Sequence, residues 1–142
     1  MTIENAKQYK EQAVSLLTAE KLPVADLPET LENFLVAIAG NKVIAIAGIE
    51  VYGTYGLLRS LAVHPEHRNA GTAGKLLERL ESSAIYKGLA NLYLLTESAA
   101  EYFQKKGYKV IGRNDVPAEV QASSEFSHVC PVSAIVMKKS IS

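Results

Sequence analysis

The residues best suited to chemistry lie in a turn between a predicted strand and a predicted helix. This turn holds Arg68, Asn69, Gly71 and Thr72, and it follows the apolar, β-favouring run 57–63. A helix that starts at a turn leaves its first backbone N–H groups unpaired, and the helix dipole adds partial positive charge there. Gly71 lets a bulky anion approach the backbone, and Arg68 supplies a charged fork. The pattern favours a phosphate or pyrophosphate ligand, although glycine in many such turns only changes the chain direction.

The elements that must position this turn follow from hydrophobic periodicity. The helix after the turn is predicted for residues 71–87, because Leu76, Leu77 and Leu80 recur at helical spacing and Gly88 provides a stop. Gly40-Asn41 predicts a hairpin turn within a three-stranded antiparallel meander. Strands are predicted for residues 2–6, 34–39, 43–51, 57–64, 91–95, 108–112 and 132–138. Further helices are predicted for residues 7–20, 99–106 and 117–122, with a turn and a short helix within 22–30. The chain is therefore of mixed α/β class.

Composition bounds the classes of function. A chain of 142 residues with 48% hydrophobic and 21% charged residues fits one compact domain. Fifteen basic residues balance fifteen acidic ones, so no broad field points to nucleic acid or to an anionic membrane. The single cysteine and the absence of an apolar leader or a long apolar run favour a cytoplasmic protein. No metal site is expected, because the three histidines are not grouped with carboxylates or cysteines at the spacing of metal ligands.

The turn also carries a family resemblance. Residues 68–73 match the signature Arg/Gln-x-x-Gly-x-Gly/Ala of the GNAT superfamily of acyl-CoA-dependent N-acetyltransferases. A similar strand end precedes it at residues 61–65, and a second block, residues 92–96 and 102–108, agrees in order. The chain therefore resembles this superfamily from about residue 34 to residue 138.

The resemblance implies a fold, an activity and a co-substrate. The fold is a central, mostly antiparallel sheet with one splayed parallel pair, flanked by helices, in a single domain over residues 1–142. The activity is transfer of an acetyl group from acetyl-CoA to a primary amine of a small molecule, by direct attack in a ternary complex. The residues implied in acetyl-CoA binding are Leu61, Ala62 and Val63 for the pantetheine arm, and Arg68, Asn69, Ala70, Gly71, Thr72 and Ala73 for the pyrophosphate.

Two residues are candidates on the acceptor side. Glu50 is the carboxylate of the meander strands and lies next to the implied acetyl site, so it is either a general base or a solvent-facing residue at a strand end. Arg59 lies within a strand, either in alternation with Leu57 and Leu61 or offset by a bulge. A charge there needs a partner, so Arg59 either binds the carboxylate of an amino-acid-like substrate or pairs with Glu50.

The proton donor for the leaving thiolate departs from the family pattern. Many relatives carry a tyrosine four residues before the glycine that ends the helix, and here that position is Phe103. Tyr102 is adjacent, although one residue along a helix turns a side chain by about 100°. Either Tyr102 is the acid, or the thiolate leaves without a protein acid, or the enzyme is slow or altered. We expect Phe103 to pack against either the cofactor arm or the core.

Residues 116–137 resemble the tails of small acetyltransferases grouped with arsenic-resistance genes, which share the Leu-Pro-x-x-Asp-Leu stretch at residues 22–27. The segment also resembles acetylglutamate-forming relatives, which suits an amino-acid-like acceptor. Phe126 and Ser127, with Cys130 and Ser133, either shape the acceptor pocket or serve as turn and packing residues. Cys130 is a lone cysteine directly before Pro131, a context typical of a buried, inert thiol, and it is not expected to be catalytic.

Two rival functions stay open on the sequence. One is a module that senses acyl-CoA without turnover, which the phenylalanine at position 103 allows. The other keeps the chemistry and takes a protein amine as acceptor. The expected partner is a small-molecule amine, with no nucleic acid and no membrane, and a homodimer is a further expectation from the resemblance.

Overall fold

The computed structural model describes residues 1–123 and 134–141, and in this part of the chain seven strands form one mixed sheet. The strand order is β1-β2-β3-β4-β5-β7-β6. The strands are β1 (Thr2–Asn5), β2 (Phe34–Ala39), β3 (Lys42–Tyr52), β4 (Tyr55–Val63), β5 (Asn91–Thr96), β6 (Lys109–Ile111) and β7 (Ile135–Ser140). β4 pairs in parallel with β5, whereas β1 with β2, β2 with β3, and β7 with both β5 and β6 pair antiparallel. The predicted, mostly antiparallel sheet with one parallel pair is confirmed.

Four α-helices accompany the sheet in the described residues. They are α1 (Lys10–Ala19), α2 (Thr72–Tyr86), α3 (Ala100–Lys105) and α4 (Ala118–Gln121). Each lies inside a range that the sequence predicts as helix. The predicted first turn of α1 is a separate 3₁₀ turn at Ala6–Tyr9, which Asn5 caps by accepting a hydrogen bond from the Lys7 N–H.

The hairpin between β2 and β3 forms where the sequence predicts it. Gly40 and Asn41 have φ values of 56° and 63°. Two consecutive left-handed residues make the turn whose twist matches that of the flanking strands, and Gly and Asn tolerate this conformation best. These two residues therefore set the pairs next to the turn, Ala39 with Lys42 and Ile38 with Val43, and a register shift between Ala37 and Ile38 then brings Phe34 opposite Gly48.

The pairing of Phe34 with Gly48 leaves no room for a side chain at position 48. A Cβ atom built on Gly48 would lie 2.2 Å from Cδ2 of the Phe34 ring, which is itself buried. The ring thus fills the space that a larger residue in β3 would need. Gly48 is required here for close packing.

The segment between α1 and β2 differs from its prediction. The short helix predicted within residues 22–30 is wrong, since this stretch runs as turns and extended chain. Pro23 and Pro28 lack the N–H groups that a helix needs. The side chain of Asp26 also makes a long-range ion pair with Arg59, so a tertiary contact shapes this segment.

The chain forms two compact units, each with its own apolar core. The first comprises Met1–Ile49 and Arg59–Ser83, and the second comprises Glu50–Leu58 and Ala84–Ser142. The core of the first includes Leu17, Leu31, Phe34, Val36, Ile46 and Ala62. The core of the second includes Leu57, Tyr93, Val116, Val120 and Val136. A single domain over residues 1–142 stays a prediction.

Candidate functional site

The turn between β4 and α2 has the backbone of an anion-binding loop. A 3₁₀ turn at Pro65–His67 follows β4, and Asn69 and Gly71 then adopt left-handed φ values of 64° and 79°. The first helical hydrogen bond runs from the Lys75 N–H to the Gly71 carbonyl at 3.1 Å. The amides before Lys75 therefore have no partner within the helix, and the positive end of the helix dipole lies at the same place.

Gly71 leaves the turn open. A Cβ atom built on Gly71 would meet no heavy atom within 4 Å. The space beside this backbone is therefore accessible to a ligand, and the left-handed φ disfavours any residue with a side chain. Of the neighbouring signature residues, Asn69 and Ala70 are exposed, Ala73 is half-buried, and Thr72 is buried.

Arg68 places its guanidinium group beside the turn. Its Nε donates to the Val63 carbonyl oxygen at 3.3 Å, which links the signature arginine to the end of β4. Its Nη2 donates to the carboxylate of Glu20, the residue that follows α1. About half of the Arg68 side chain, 53%, is exposed, so the group is accessible to a second anion.

A cavity of about 310 Å³ brings the predicted acetyl-CoA residues together. Its lining consists of Leu61, Ala62 and Val63 of β4, Arg68 of the turn, and Glu20 and Leu22 beyond α1. The strand edge and the signature arginine thus open onto one space. The structure therefore groups these four predicted residues, and their contact with acetyl-CoA stays a prediction.

β4 is bulged next to this cavity. Ser60 has a φ of 60°, a left-handed value in the middle of a strand, and it is buried. A left-handed residue interrupts the alternation of a strand at its own position. Gly56 to Ser60 are all buried in succession. Of the two alternatives for Arg59, regular alternation or a bulge, the structure shows the bulge.

Arg59 is a buried cation with a dedicated counter-charge. Its Nη1 donates to Asp26 Oδ2 at 2.7 Å, its Nη2 donates to Asp26 Oδ1 at 2.9 Å, and its Nε donates to the Ser60 hydroxyl at 3.1 Å. The Arg59 side chain is 0% exposed and that of Asp26 is 11% exposed. The Arg59 guanidinium lowers the pKa of Asp26 below its usual value, against the opposing effect of burial. The sequence predicted either a substrate carboxylate or Glu50 as the partner of Arg59, and it did not predict Asp26.

Glu50 is half-buried within β3, two residues before the strand ends. Its carboxylate accepts a hydrogen bond from the Tyr52 hydroxyl. The neighbouring position on the strand, Val51, points to the other side and is 42% exposed. Glu50 is thus partly exposed near the end of β3, and its role as a base stays a prediction.

Phe103 occupies the position of the family tyrosine, and the adjacent Tyr102 carries the hydroxyl. Phe103 is buried and packs edge to face against Tyr108, with ring centroids 5.6 Å apart. The Tyr102 hydroxyl is buried and has no hydrogen-bond partner in the described part of the chain. Burial raises the pKa of Tyr102 above 10.0, so the phenol keeps its proton at neutral pH. An unpaired buried hydroxyl is costly, so this hydroxyl lacks a hydrogen bond that the described residues do not supply.

The remaining expectations concern the acceptor pocket, metal sites and membrane-spanning helices. Phe126 and Ser127, with Cys130 and Ser133, lie outside the described residues. Residues 1–123 and 134–141 contain no group of three or more histidine, cysteine or acidic side chains that could hold a metal ion. No helix in the same ranges combines the length and the apolar character needed to cross a membrane.

Sequence reasoning missed Glu20, Asp26, Tyr52 and Ser60. Asp26 carried a signal, because it is the aspartate of the Leu-Pro-x-x-Asp-Leu stretch. Glu20 ends the predicted first helix, where nothing local indicates that it meets an arginine 48 residues later. Tyr52 lies one residue beyond the strand predicted for residues 43–51 and is the last residue of β3. No local pattern identifies Ser60 as left-handed.

The chain matches a family of known proteins. Residues 30–110 match the family model described as an acetyltransferase (GNAT) domain. An amino-acid acetyltransferase of Pseudomonas putida is 36% identical over 94 residues, which is 65% of this chain and 22% of that protein. The chain thus spans about a quarter or less of the curated relatives that it matches.

Two solved structures share the fold. N-acetylglutamate synthase from Neisseria gonorrhoeae, complexed with coenzyme A and N-acetyl-glutamate, superposes with a TM-score of 0.82 at 14% identity, over 99% of this chain and 35% of that one. An aminoglycoside 6′-N-acetyltransferase complexed with coenzyme A gives a TM-score of 0.75 at 19% identity, over 100% and 98%. At these identities the likeness concerns the fold alone.

The Arg59–Asp26 pair yields a prediction on stability. Asp26→Asn keeps the shape of the side chain but leaves a buried guanidinium without its anion, so the free energy of unfolding should fall by about 3–5 kcal/mol. Because the pKa of Asp26 is lower in the folded than in the unfolded protein, the pair stabilises fully above about pH 3.8 and less as the pH falls further. Urea titrations of both proteins from pH 3 to pH 7 measure the difference, which should be smallest at the acid end.

The control for this change is Glu29→Gln, because Glu29 lies in the same segment and is exposed. Its effect on the free energy of unfolding should stay within about 0.5 kcal/mol. A loss equal to that of Asp26→Asn, or a loss from Asp26→Asn that does not change with pH, would contradict the ion-pair interpretation.

Proposed function

Because the chain belongs to the family of GNAT acetyltransferase domains, we propose that it transfers an acetyl group from acetyl-CoA to the primary amine of a small, amino-acid-like molecule. The cavity that Arg68 shares with the β4 edge supports this function most directly. In the reaction the amine nitrogen attacks the thioester carbonyl within a ternary complex. The C–N bond forms, the C–S bond breaks, the amine loses a proton, and the leaving thiolate gains one.

Acetyl-CoA is proposed to bind in two parts. The pantetheine arm lies along the backbone of Leu61, Ala62 and Val63 and adds to the edge of β4 like a further strand. The pyrophosphate binds the amides of the turn, Arg68 to Ala73, where the helix dipole and the Arg68 guanidinium favour negative charge. The free space beside Gly71 supports this, since a phosphate needs close approach to the backbone.

Glu50 and Tyr102 are proposed to move the protons. Glu50 takes the proton of the attacking amine, directly or through water, and the Tyr52 hydroxyl holds its carboxylate in place. Tyr102 gives a proton to the leaving thiolate. Its buried, unpartnered hydroxyl supports the second role, because that hydroxyl gains a hydrogen bond only when an acceptor arrives. Phe103 is proposed to contact the cofactor arm from the core in which it packs.

The acceptor is proposed to be amino-acid-like, with its carboxylate near Arg59. The relatives named amino-acid acetyltransferases support this class of acceptor. Arsenic-bearing amino acids are included in the class because residues 22–27 resemble acetyltransferases grouped with arsenic-resistance genes. Asp26 already binds both terminal nitrogens of Arg59, so an acceptor carboxylate must share or displace that contact. Phe126 and Ser127 are proposed to complete the acceptor pocket.

The first test is acceptor-dependent release of the thiol of CoA. Incubation with acetyl-CoA and a panel of amines should release thiol with amino acids, arsenic-bearing amino acids included, and only at background level without an acceptor. A thiol reagent measures the release, and mass spectrometry identifies the acetylated amine. Binding of acetyl-CoA without release by any acceptor would instead favour a sensor of acyl-CoA. Turnover with protein amines alone would overturn the small-molecule acceptor.

Glu50→Gln tests the base. At neutral pH the variant should turn over about 10²–10⁴-fold more slowly, because the protonated amine lacks an acceptor for its proton. Raising the pH should restore part of the rate, since an amino acid's α-amino group deprotonates near pH 8 or above. Initial rates from pH 6.5 to pH 9.5 measure this, with Glu78→Gln, an exposed change on α2, as the control. Equal rates for both variants at every pH would remove Glu50 from the mechanism.

Tyr102→Phe tests the acid. The variant keeps the ring and loses the proton donor, so kcat should fall by about 10²-fold or more while binding of CoA is unchanged. The control is Tyr86→Phe, since Tyr86 is 93% exposed and far along α2 from the turn. Because the lost hydroxyl has no partner in the described residues, Tyr102→Phe should not lower the melting temperature. Full activity would show that the thiolate leaves without this donor.

A further inference from the structure

Glu20 forms an ion pair with Arg68, the arginine that the proposed function assigns to the pyrophosphate. It is the residue directly after α1, its side chain is 16% exposed, and its carboxylate accepts from Arg68 Nη2. Both residues line the cavity formed with Leu61, Ala62 and Val63. An anionic side chain thus stands in a space that the proposed function gives to an anionic ligand.

The backbone holds Glu20 firmly at this place. Its N–H donates to the Leu16 carbonyl at 3.0 Å, and the next residue, Lys21, closes the helix with a left-handed φ of 61°. The Leu22 N–H then donates to the Leu17 carbonyl at 2.9 Å, which completes a Schellman-type helix end. The side chain therefore projects from a fixed backbone.

The helix itself gives no reason for a negative charge at this end. The C-terminal end of a helix carries partial negative charge, so a carboxylate there is unfavourable unless another group offsets it. Arg68 offsets it in the structure. Glu20 and a bound pyrophosphate are then alternative partners of the same guanidinium, and they repel each other if both are present.

We propose that Glu20 is a competing carboxylate that holds Arg68 until the pyrophosphate of the donor displaces it. This inference rests on the proposed function, and it adds a residue that sets the affinity for both acetyl-CoA and the product CoA. When CoA leaves, Glu20 takes Arg68 back, which lowers the affinity of the product complex and speeds release. Arg68 is half-exposed, so the effect on affinity is modest.

The test compares Glu20→Gln with Glu66→Gln. Both changes remove one negative charge near Arg68, but Glu66 is exposed in the turn at Pro65–His67 and does not line the cavity. In calorimetric titrations with CoA at fixed ionic strength, Glu20→Gln should bind about two- to fivefold more tightly than the wild type, as expected for one partly exposed ion pair. Glu66→Gln should change the affinity less than half as much.

Two further arms separate competition on Arg68 from other causes. Pantetheine lacks the pyrophosphate, so Glu20→Gln should bind it as the wild type does. In an Arg68→Gln background, the gain from Glu20→Gln should shrink to that of Glu66→Gln. Unchanged or weaker CoA binding by Glu20→Gln, or an equal gain with pantetheine, overturns the proposal. If CoA binds none of the proteins, the wild type included, the proposed function itself fails.

Discussion

A buried guanidinium must have a counter-charge, and this constraint governs how the region around β4 is built. Arg59 is fully buried in the middle of β4, where an unpaired cation would cost several kcal/mol. Asp26 satisfies it with both carboxylate oxygens, and the adjacent Ser60 hydroxyl satisfies Nε. The chain from α1 to β2 therefore runs as turns that deliver Asp26 to β4, and the left-handed Ser60 bulges the strand at the same point.

The segment between α1 and β2 also contains Glu20, which makes a second and weaker ion pair, with Arg68. Asp26 holds a buried arginine, whereas Glu20 holds one that is half-exposed. The buried pair is structural, because its separation would leave charges in a medium that solvates them poorly. The exposed pair exchanges partners readily, because water and salt screen its charges. One stretch of chain thus combines a fixed contact with a replaceable one, six residues apart.

The sequence predicts most of the elements and the place of the turn before α2 well, because both depend on neighbouring residues. Gly40-Asn41 adopts the expected hairpin turn, and Leu76, Leu77 and Leu80 face the core from α2. What escaped prediction depends on distant residues. Asp26 and Arg59 are 33 positions apart, so their pairing depends on the fold as a whole. The catalytic roles of Glu50 and Tyr102 depend on groups that no local pattern brings together, so they stay proposals.

The contact between Phe34 and Gly48 has a consequence for how this sequence can change over time. The ring occupies the volume of any side chain at position 48, so neither position can vary alone without loss of packing. A homologue with alanine or valine at the second position must carry a smaller residue at the first. These two positions lie opposite each other in the β2–β3 ladder. We therefore expect them to change together when the packing of this part of the core changes during evolution.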